Sequence, residues 1–176
     1  MKECKLIAIA AVSIDGVIGI GNEIPWHIPE DFKHFKQTTM GHTLLVGYNT
    51  YLTLPNKALN GRDLIVLYGD NDISSFVEYT NVFFCKDLVE LNTMLYERDV
   101  DILYIIGGSM IYDIFIDNCD EAIITWVNKS YPNGTKTFPI VKLFANFVID
   151  EDQDWQRSTG GMLYKVTNYK RENGKN

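Results

Sequence analysis

The sequence has few of the residues that staple a small secreted domain or build a metal centre. Only three of its 176 residues are cysteine (Cys4, Cys85 and Cys119), an odd number with no C-x-x-C spacing. The three histidines (His27, His34 and His42) form no H-E-x-x-H pattern, so no metal site is expected. The cysteines are read as buried, reduced thiols, which points to the cytoplasm. No apolar run approaches the ~18 residues needed to span a bilayer, so no membrane partner is expected. Met1-Lys2-Glu3-Cys4-Lys5 leads into the apolar stretch Leu6 to Val12 without a polar cleavage region, which reads as a buried strand rather than a signal peptide. Positive charge is also scarce. Lys and Arg number 16 against 23 Asp and Glu, a net charge of −7, and Lys170-Arg171 is the one adjacent basic pair. Such a field repels phosphate backbones and argues against nucleic acid as a partner. An anionic ligand would have to be held by a few local cations and backbone donors.

What is present suits one globular domain. Hydrophobic residues make up 46% and charged residues 22%, near the averages of about 45–50% and about 25%. A chain of this size buries roughly 70% of its unfolded surface and needs no disulfide to hold a core. The domain is assigned to residues 1–171 and a polar C-terminal tail to 172–176. Apolar runs recur at Leu6–Val12, Leu44–Val46, Leu64–Tyr68, Val82–Phe84, Ile102–Ile106 and Ala122–Val127, as expected of strands covered on both faces. Helical patterns separate them. Pro29-Glu30-Asp31 opens one, Asp87 and Glu90 form a capping-box-like start to another, Ser109 is placed to cap a third, and a short helix is expected over Asn49 to Leu54. The alternation predicts an α/β fold: a mainly parallel twisted sheet of about eight strands flanked by helices. Trp155 to Thr159, Gly160-Gly161 and Leu163 to Tyr169 predict an antiparallel hairpin at the C-terminal edge.

Three segments can carry chemistry. In Ile24-Pro25-Trp26-His27-Ile28-Pro29-Glu30-Asp31-Phe32, two prolines stiffen an apolar connection into a helix. Asp31 is then either a solvated first-turn acid favoured by the helix dipole or a carboxyl in an apolar cleft, its proton affinity raised by desolvation. Spacing does not separate the two. Tyr104-Ile105-Ile106-Gly107-Gly108-Ser109 runs from a strand into a helix, where two glycines let a ligand approach backbone N–H groups; a plain tight turn is the alternative. Gly47-Tyr48-Asn49-Thr50-Tyr51 repeats the strand-to-helix form, followed by Gly61-Arg62. Thr50 offers a hydroxyl to a phosphate. Arg62 offers a planar fork to a carboxylate, or is an ordinary surface cation.

Read together and in order, these motifs resemble the dihydrofolate reductase family from about Leu6 to Arg171: D-G-V-I-G, I-P-W-H-I-P-E-D-F, G-x-x-T-Y, G-R, I-I-G-G-S-x-I-Y, T-F-P and Y-x-V-x-x-Y-x-R. The resemblance implies reduction of 7,8-dihydrofolate to tetrahydrofolate with NADPH by a protein expected to be monomeric. It assigns catalytic positions to Asp31, which hydrogen-bonds the pterin and supports N5 protonation, with Thr125 as its hydroxyl partner and Trp26 beside it. Ile9, Phe32, Phe35, Leu54, Arg62 and Ile106 correspond to substrate contacts, Arg62 to the glutamate carboxylate. Ala11, Ile18, Gly19, Thr50, Thr53, Gly107, Gly108, Ser109, Met110 and Tyr112 correspond to cofactor contacts. The family's Gly-Gly bond is cis. The loop from Asp15 to Trp26 would close over the nicotinamide.

The pattern is broken in places. Tyr48 and Met110 stand where the family commonly has cations for the adenosine 2′-phosphate, and Tyr68-Gly69-Asp70 replaces Ser or Thr with a basic neighbour. These changes predict that NADH is accepted beside NADPH, unless His42 or Lys86 substitutes for the missing donors. Thr135 stands near a usually acidic position, so loop closure is expected to differ. Two alternatives to the reductase are a folate- or nucleotide-binding or assembly protein with little turnover, and a related pterin or pyrimidine reductase.

Overall fold

Side chains alternate across β1 (Lys5–Ser13) in a way that demands cover on both sides: Ile7 and Ile9 join one buried cluster, Ala8 and Val12 another. The same division repeats in β3 (Thr43–Gly47), β4 (Asp63–Leu67) and β6 (Ile102–Ile105), where Leu45, Ile65 and Ile105 face the second cluster and Leu44, Val46, Leu64, Val66 and Tyr104 the first. Each such fully buried Leu or Ile contributes about 1.5–3 kcal/mol by leaving water. The computed structural model describes residues 4–54, 60–74 and 79–172; the chain beyond Glu172 and Met1 to Glu3 therefore lie outside the described residues.

With β5 (Val82–Cys85), β7 (Glu121–Val127), β10 (Gln156–Arg157) and β11 (Leu163–Arg171), these strands form a sheet in the order β10-β11-β7-β1-β6-β3-β4-β5. From β5 to β7 the pairings are parallel, and β11 runs antiparallel to β7. The expected α/β sheet with antiparallel C-terminal strands is present. Helices α1 (Pro29–Thr39), α3 (Leu88–Glu97) and α4 (Ser109–Phe115) lie between its strands in sequence. Helix α1 begins with proline in its first turn and carries Glu30 and Asp31 there, where the helix dipole favours negative charge. Helix α3 is capped by Asp87, whose carboxylate accepts from the N–H groups of Val89 at 2.9 Å and Glu90 at 3.0 Å. Cys85 and Cys119 are buried, and burial pushes each thiol up to about 12. Cys4 is only partly buried, a correction to the expectation of three buried thiols.

Two other local expectations change, and several elements are additional to them. The helix expected over Asn49 to Leu54 is a single turn, α2 (Tyr48–Tyr51). Ser109 does not cap α4. Gly108 holds that position, and Ser109 Oγ instead accepts a hydrogen bond from the Thr137 N–H at 2.9 Å. A helix α5 (Ile140–Asn146) and strand β9 (Phe147–Asp152), which pairs with β11, were unanticipated. Val141 and Phe144 of that helix are exposed, and β9 beyond Phe147 faces solvent, so neither carries a strong core periodicity. The two-stranded pair of β2 (Val17–Gly19) and β8 (Lys136–Thr137) is likewise too short to show in the sequence.

Candidate active site

Parallel α/β sheets place ligand crevices at the carboxyl ends of their strands, and here the ends of β1, β3 and β6 meet. The Gly47 N–H donates to the Gly107 carbonyl at 2.8 Å and the Ile106 N–H to the Leu45 carbonyl at 2.9 Å, locking the two strand ends together. Gly107 and Gly108 follow, joined by a cis peptide bond. A Cβ on Gly108 would lie 2.7 Å from Thr50 Oγ1. Glycine is demanded there because the Thr50 hydroxyl already occupies the place a side chain would take. Met110 and Thr53 stand exposed beside this turn, and the Thr53 hydroxyl donates to the Thr50 carbonyl at 2.8 Å.

Tyr112 underlies the Gly-Gly turn. Its hydroxyl donates to the Ile9 carbonyl at 2.7 Å, deep in the core, and its ring lies 4.8 Å from that of Phe138. Burial, reinforced by the negative charge of Asp31, pushes the phenol well above its usual value and keeps it a donor. The chain thus ties a residue expected at the cofactor to one expected at the pterin.

Asp31 is half-buried. Desolvation raises its proton affinity above the usual carboxylate range, opposed by a hydrogen bond from the buried Thr125 hydroxyl and by the nearby His34. The structure selects the cleft carboxyl over the solvated acid. Thr125 lies on β7 opposite Ala11 of β1, so three elements converge there. Trp26 is buried 5.4 Å from the Tyr131 ring, in a cluster with Val17, Ile28, Val127 and Tyr164 against which Ala11 packs; Ile18 of β2 is partly buried. Glu30 accepts from the Thr159 N–H at 2.8 Å, pinning the start of α1 to the turn before β11.

Along the other wall, Phe35, Leu54 and Ile106 pack against the cluster of Ile7, Ile9, Leu44 and Tyr104. Phe32, beside the His27 ring at 5.9 Å, leaves half its surface open. Arg62 is not the surface cation that spacing allowed. It is 4% exposed, its guanidinium 5.6 Å from the Phe35 ring and its Nη1 3.3 Å from Thr39 Oγ1.

The loop from Asp15 to Trp26 is fastened at both ends. The Asp15 carboxylate accepts from the hydroxyls of Ser13 and Ser130 and from the Tyr131 N–H at 2.8 Å. These bonds, the Ser13 hydroxyl first, hold its pKa below the usual range. Further on, the Gly21 N–H donates to Thr135 Oγ1 at 2.7 Å and the Thr135 N–H to the Gly19 carbonyl at 3.1 Å. A hydroxyl does at Thr135 what an acid would do. Reading the motifs missed the Asp15 clasp, although a strand ending Ser-x-Asp-Gly is a local turn signal. The clasp is present above the unfolded carboxylate range and is lost as pH falls through the lower, folded value of Asp15. Asp15→Ala is therefore expected to speed hydrogen exchange of the Tyr131 and Val17 amides at neutral pH; unchanged exchange would show that the strand pair alone holds the loop.

Beyond β4, the Tyr48 hydroxyl donates to the Asp72 carbonyl at 3.2 Å. Lys86 Nζ lies 3.6 Å from the fully exposed Asp70 carboxylate. A phenol bonded to backbone and a lysine paired with an exposed carboxylate stand there.

A desolvated carboxyl, a cis Gly-Gly turn at the strand ends and a fastened loop are the features of this end of the sheet. The model of the dihydrofolate reductase family matches residues 5–171. Dihydrofolate reductase of Mycobacterium tuberculosis is 30% identical over 168 residues, covering 93% of this chain and 96% of its own. That of Mycoplasma genitalium is 33% identical over 126 residues, covering 72% and 78%. The structure of dihydrofolate reductase from Enterococcus faecalis, complexed with NADP(H) and RAB-propyl, superposes with a TM-score of 0.77 at 24% identity, covering 96% and 97% of the two chains. The chain belongs to the dihydrofolate reductase family and is an oxidoreductase of folate metabolism.

Proposed function

We propose that this site reduces 7,8-dihydrofolate to tetrahydrofolate in the slot between α1 and the ends of β1 and β6, as residues 5–171 of the chain suggest by their family. The carrying observation is Asp31, a half-buried carboxyl whose proton affinity is raised by desolvation against the opposing effect of the Thr125 hydroxyl. Asp31 holds the pterin edge and favours a proton at N5, the single proton the reaction requires. Trp26 closes the slot behind it. The carbonyls of Ile9 and Ile106 meet the pterin amino group, Phe32, Phe35 and Leu54 line the ring slot, and Arg62 takes the glutamate carboxylate.

Glycine at Gly108 lets the backbone pack directly against Thr50, whose Oγ1 would lie 2.7 Å from an added Cβ. Gly107, Gly108, Thr50 and Ser109 would hold the phosphates, while Ala11, Ile18, Gly19 and Thr53 would face the nicotinamide, with Met110 at the rim and Tyr112 beneath. When bound, the reduced nicotinamide supplies the hydride. The closed loop and apolar walls exclude water from the two rings. The enzyme acts as a cytoplasmic monomer in this reading, with residues 1–171 as its domain; among the described residues no helix is long and apolar enough to cross a membrane.

Cofactor choice follows from the Tyr48 and Asp70 geometry. Asp70 stands beside Lys86 and offsets its charge, so the selectivity for a 2′-phosphate is weak. The ratio of kcat/KM for NADPH over NADH is expected to stay below about a hundredfold, and Asp70→Asn is expected to raise it about two- to tenfold by uncovering Lys86. A preference of several hundredfold in the parent enzyme would overturn this reading. The activity itself is tested by nicotinamide oxidation with dihydrofolate, with and without an antifolate; no turnover with either cofactor would refute it.

A further inference from the structure

Helix α1 carries a second polar group at the site that the reaction above does not use. His34 Nε2 is buried and has no hydrogen-bond partner. A buried polar atom left unpaired in a native fold is uncommon and calls for a reason. His34 follows Asp31 by three residues, a spacing at which helical side chains lie on one face with about 5–6 Å between Cβ atoms. The imidazole acts electrostatically on that carboxyl. Among the described residues, the other groups acting on Asp31 or acted on by it are the Thr125 hydroxyl on β7, the Tyr112 phenol on α4 and the Tyr164 phenol on β11. None of these carries positive charge at neutral pH. On α1 itself Glu30 is an acid turned to Thr159, and His27 before the helix acts on Glu30. Of the two side chains that act on the Asp31 carboxyl, Thr125 and His34, His34 is the one that can carry positive charge.

We propose that His34 is a positioning residue for Asp31: its imidazole, one helical turn away with a buried and unshared Nε2, sets the protonation state in which the carboxyl meets the pterin. This rests on Asp31 being the pterin-facing acid. A protonated imidazole favours the carboxylate, whereas a neutral one leaves the proton affinity to burial.

The test compares the parent enzyme with His34→Phe, His34→Gln and Asp31→Asn. Two readouts are followed against pH: the single-turnover rate of hydride transfer, and the Asp31 carboxyl carbon shift by NMR in ligand-free protein. In both His34 variants the carboxyl titration and the high-pH limb of the rate are expected to move to higher pH by about half a pH unit or more. The change should fall on the single-turnover rate rather than on KM for dihydrofolate. Profiles that superimpose on the parent in both variants would overturn the proposal, as would a His34→Gln profile restored to that of the parent, since hydrogen bonding without charge would then suffice. An Asp31→Asn enzyme that kept the parent pH profile would instead sink the assignment of Asp31.

Discussion

Asp31→Asn is expected to lower the single-turnover rate of hydride transfer at neutral pH by about 10²–10⁴-fold, the range that a positioned acid contributes. Folate binding should survive, because the amide keeps the size of the side chain and can still face the ring. The same change is expected to leave the ligand-free fold as stable or more stable near pH 7. Burial raises the folded proton affinity of Asp31 above its unfolded value. The folded state then binds more protons than the unfolded chain between the two values, and stability falls as pH rises through that window. Removing the charge removes the burden. Parent and variant melting temperatures measured across pH, beside the rates, separate the two effects. A variant that turned over near the parent rate would end the role given to Asp31, and one that melted well below the parent would contradict the desolvation account.

Gly107→Ala is expected to be the most damaging single change in the Gly-Gly turn. Gly107 has φ of +103°, and an added Cβ would stand 2.7 Å from Tyr112 Cε2 and 3.1 Å from its Cζ. That ring cannot retreat cheaply. Its hydroxyl is bonded to the Ile9 carbonyl, and Phe138 packs against it. Backbone strain and overpacking together should cost about 2–5 kcal/mol, or about 5–15 °C in Tm for a chain of this size. On the proposed cofactor site nucleotide affinity should fall as well, because Tyr112 packs directly against Gly107. Gly161→Ala is the control: φ is +86° there, with nothing within 4 Å of the added Cβ, so it reports strain alone. Equal losses in Tm for the two variants would show that the Tyr112 contact is not what demands glycine at Gly107.

Much of this molecule is legible before folding, for identifiable reasons. The strands at Leu6–Val12 and Leu64–Tyr68 could be found because a sheet covered on both faces requires unbroken apolar runs. Asp87 could be named as a cap because its bonds to Val89 and Glu90 are local. The pair β2 and β8 could not, since two or three residues carry no period. Nor could β9, whose stability comes from its partner β11 more than from its own composition. The assignment of Asp31, Thr125 and Arg62 to the proposed site comes from a matched order of motifs. What that order lacked was environment: whether Arg62 is buried, whether Asp31 is desolvated, and which groups surround it.

The sequence by itself determined the α/β class, the family and the residues available to a site, because hydrophobic period, turn chemistry and motif order are properties of neighbours along the chain. Tertiary structure alone decided what those residues can do. Thr125 and Asp31 are far apart in sequence, as are Tyr112 and Ile9, Asp15 and Tyr131, and Thr135 and Gly21, yet each pair is joined in the fold. Proton affinity depends on desolvation and on through-space charge, and a loop is held by bonds to a distant strand. Neither can be read from positions adjacent in the chain, so the tuning of Asp31 and the closure of the loop appear only when the sheet brings its ends together.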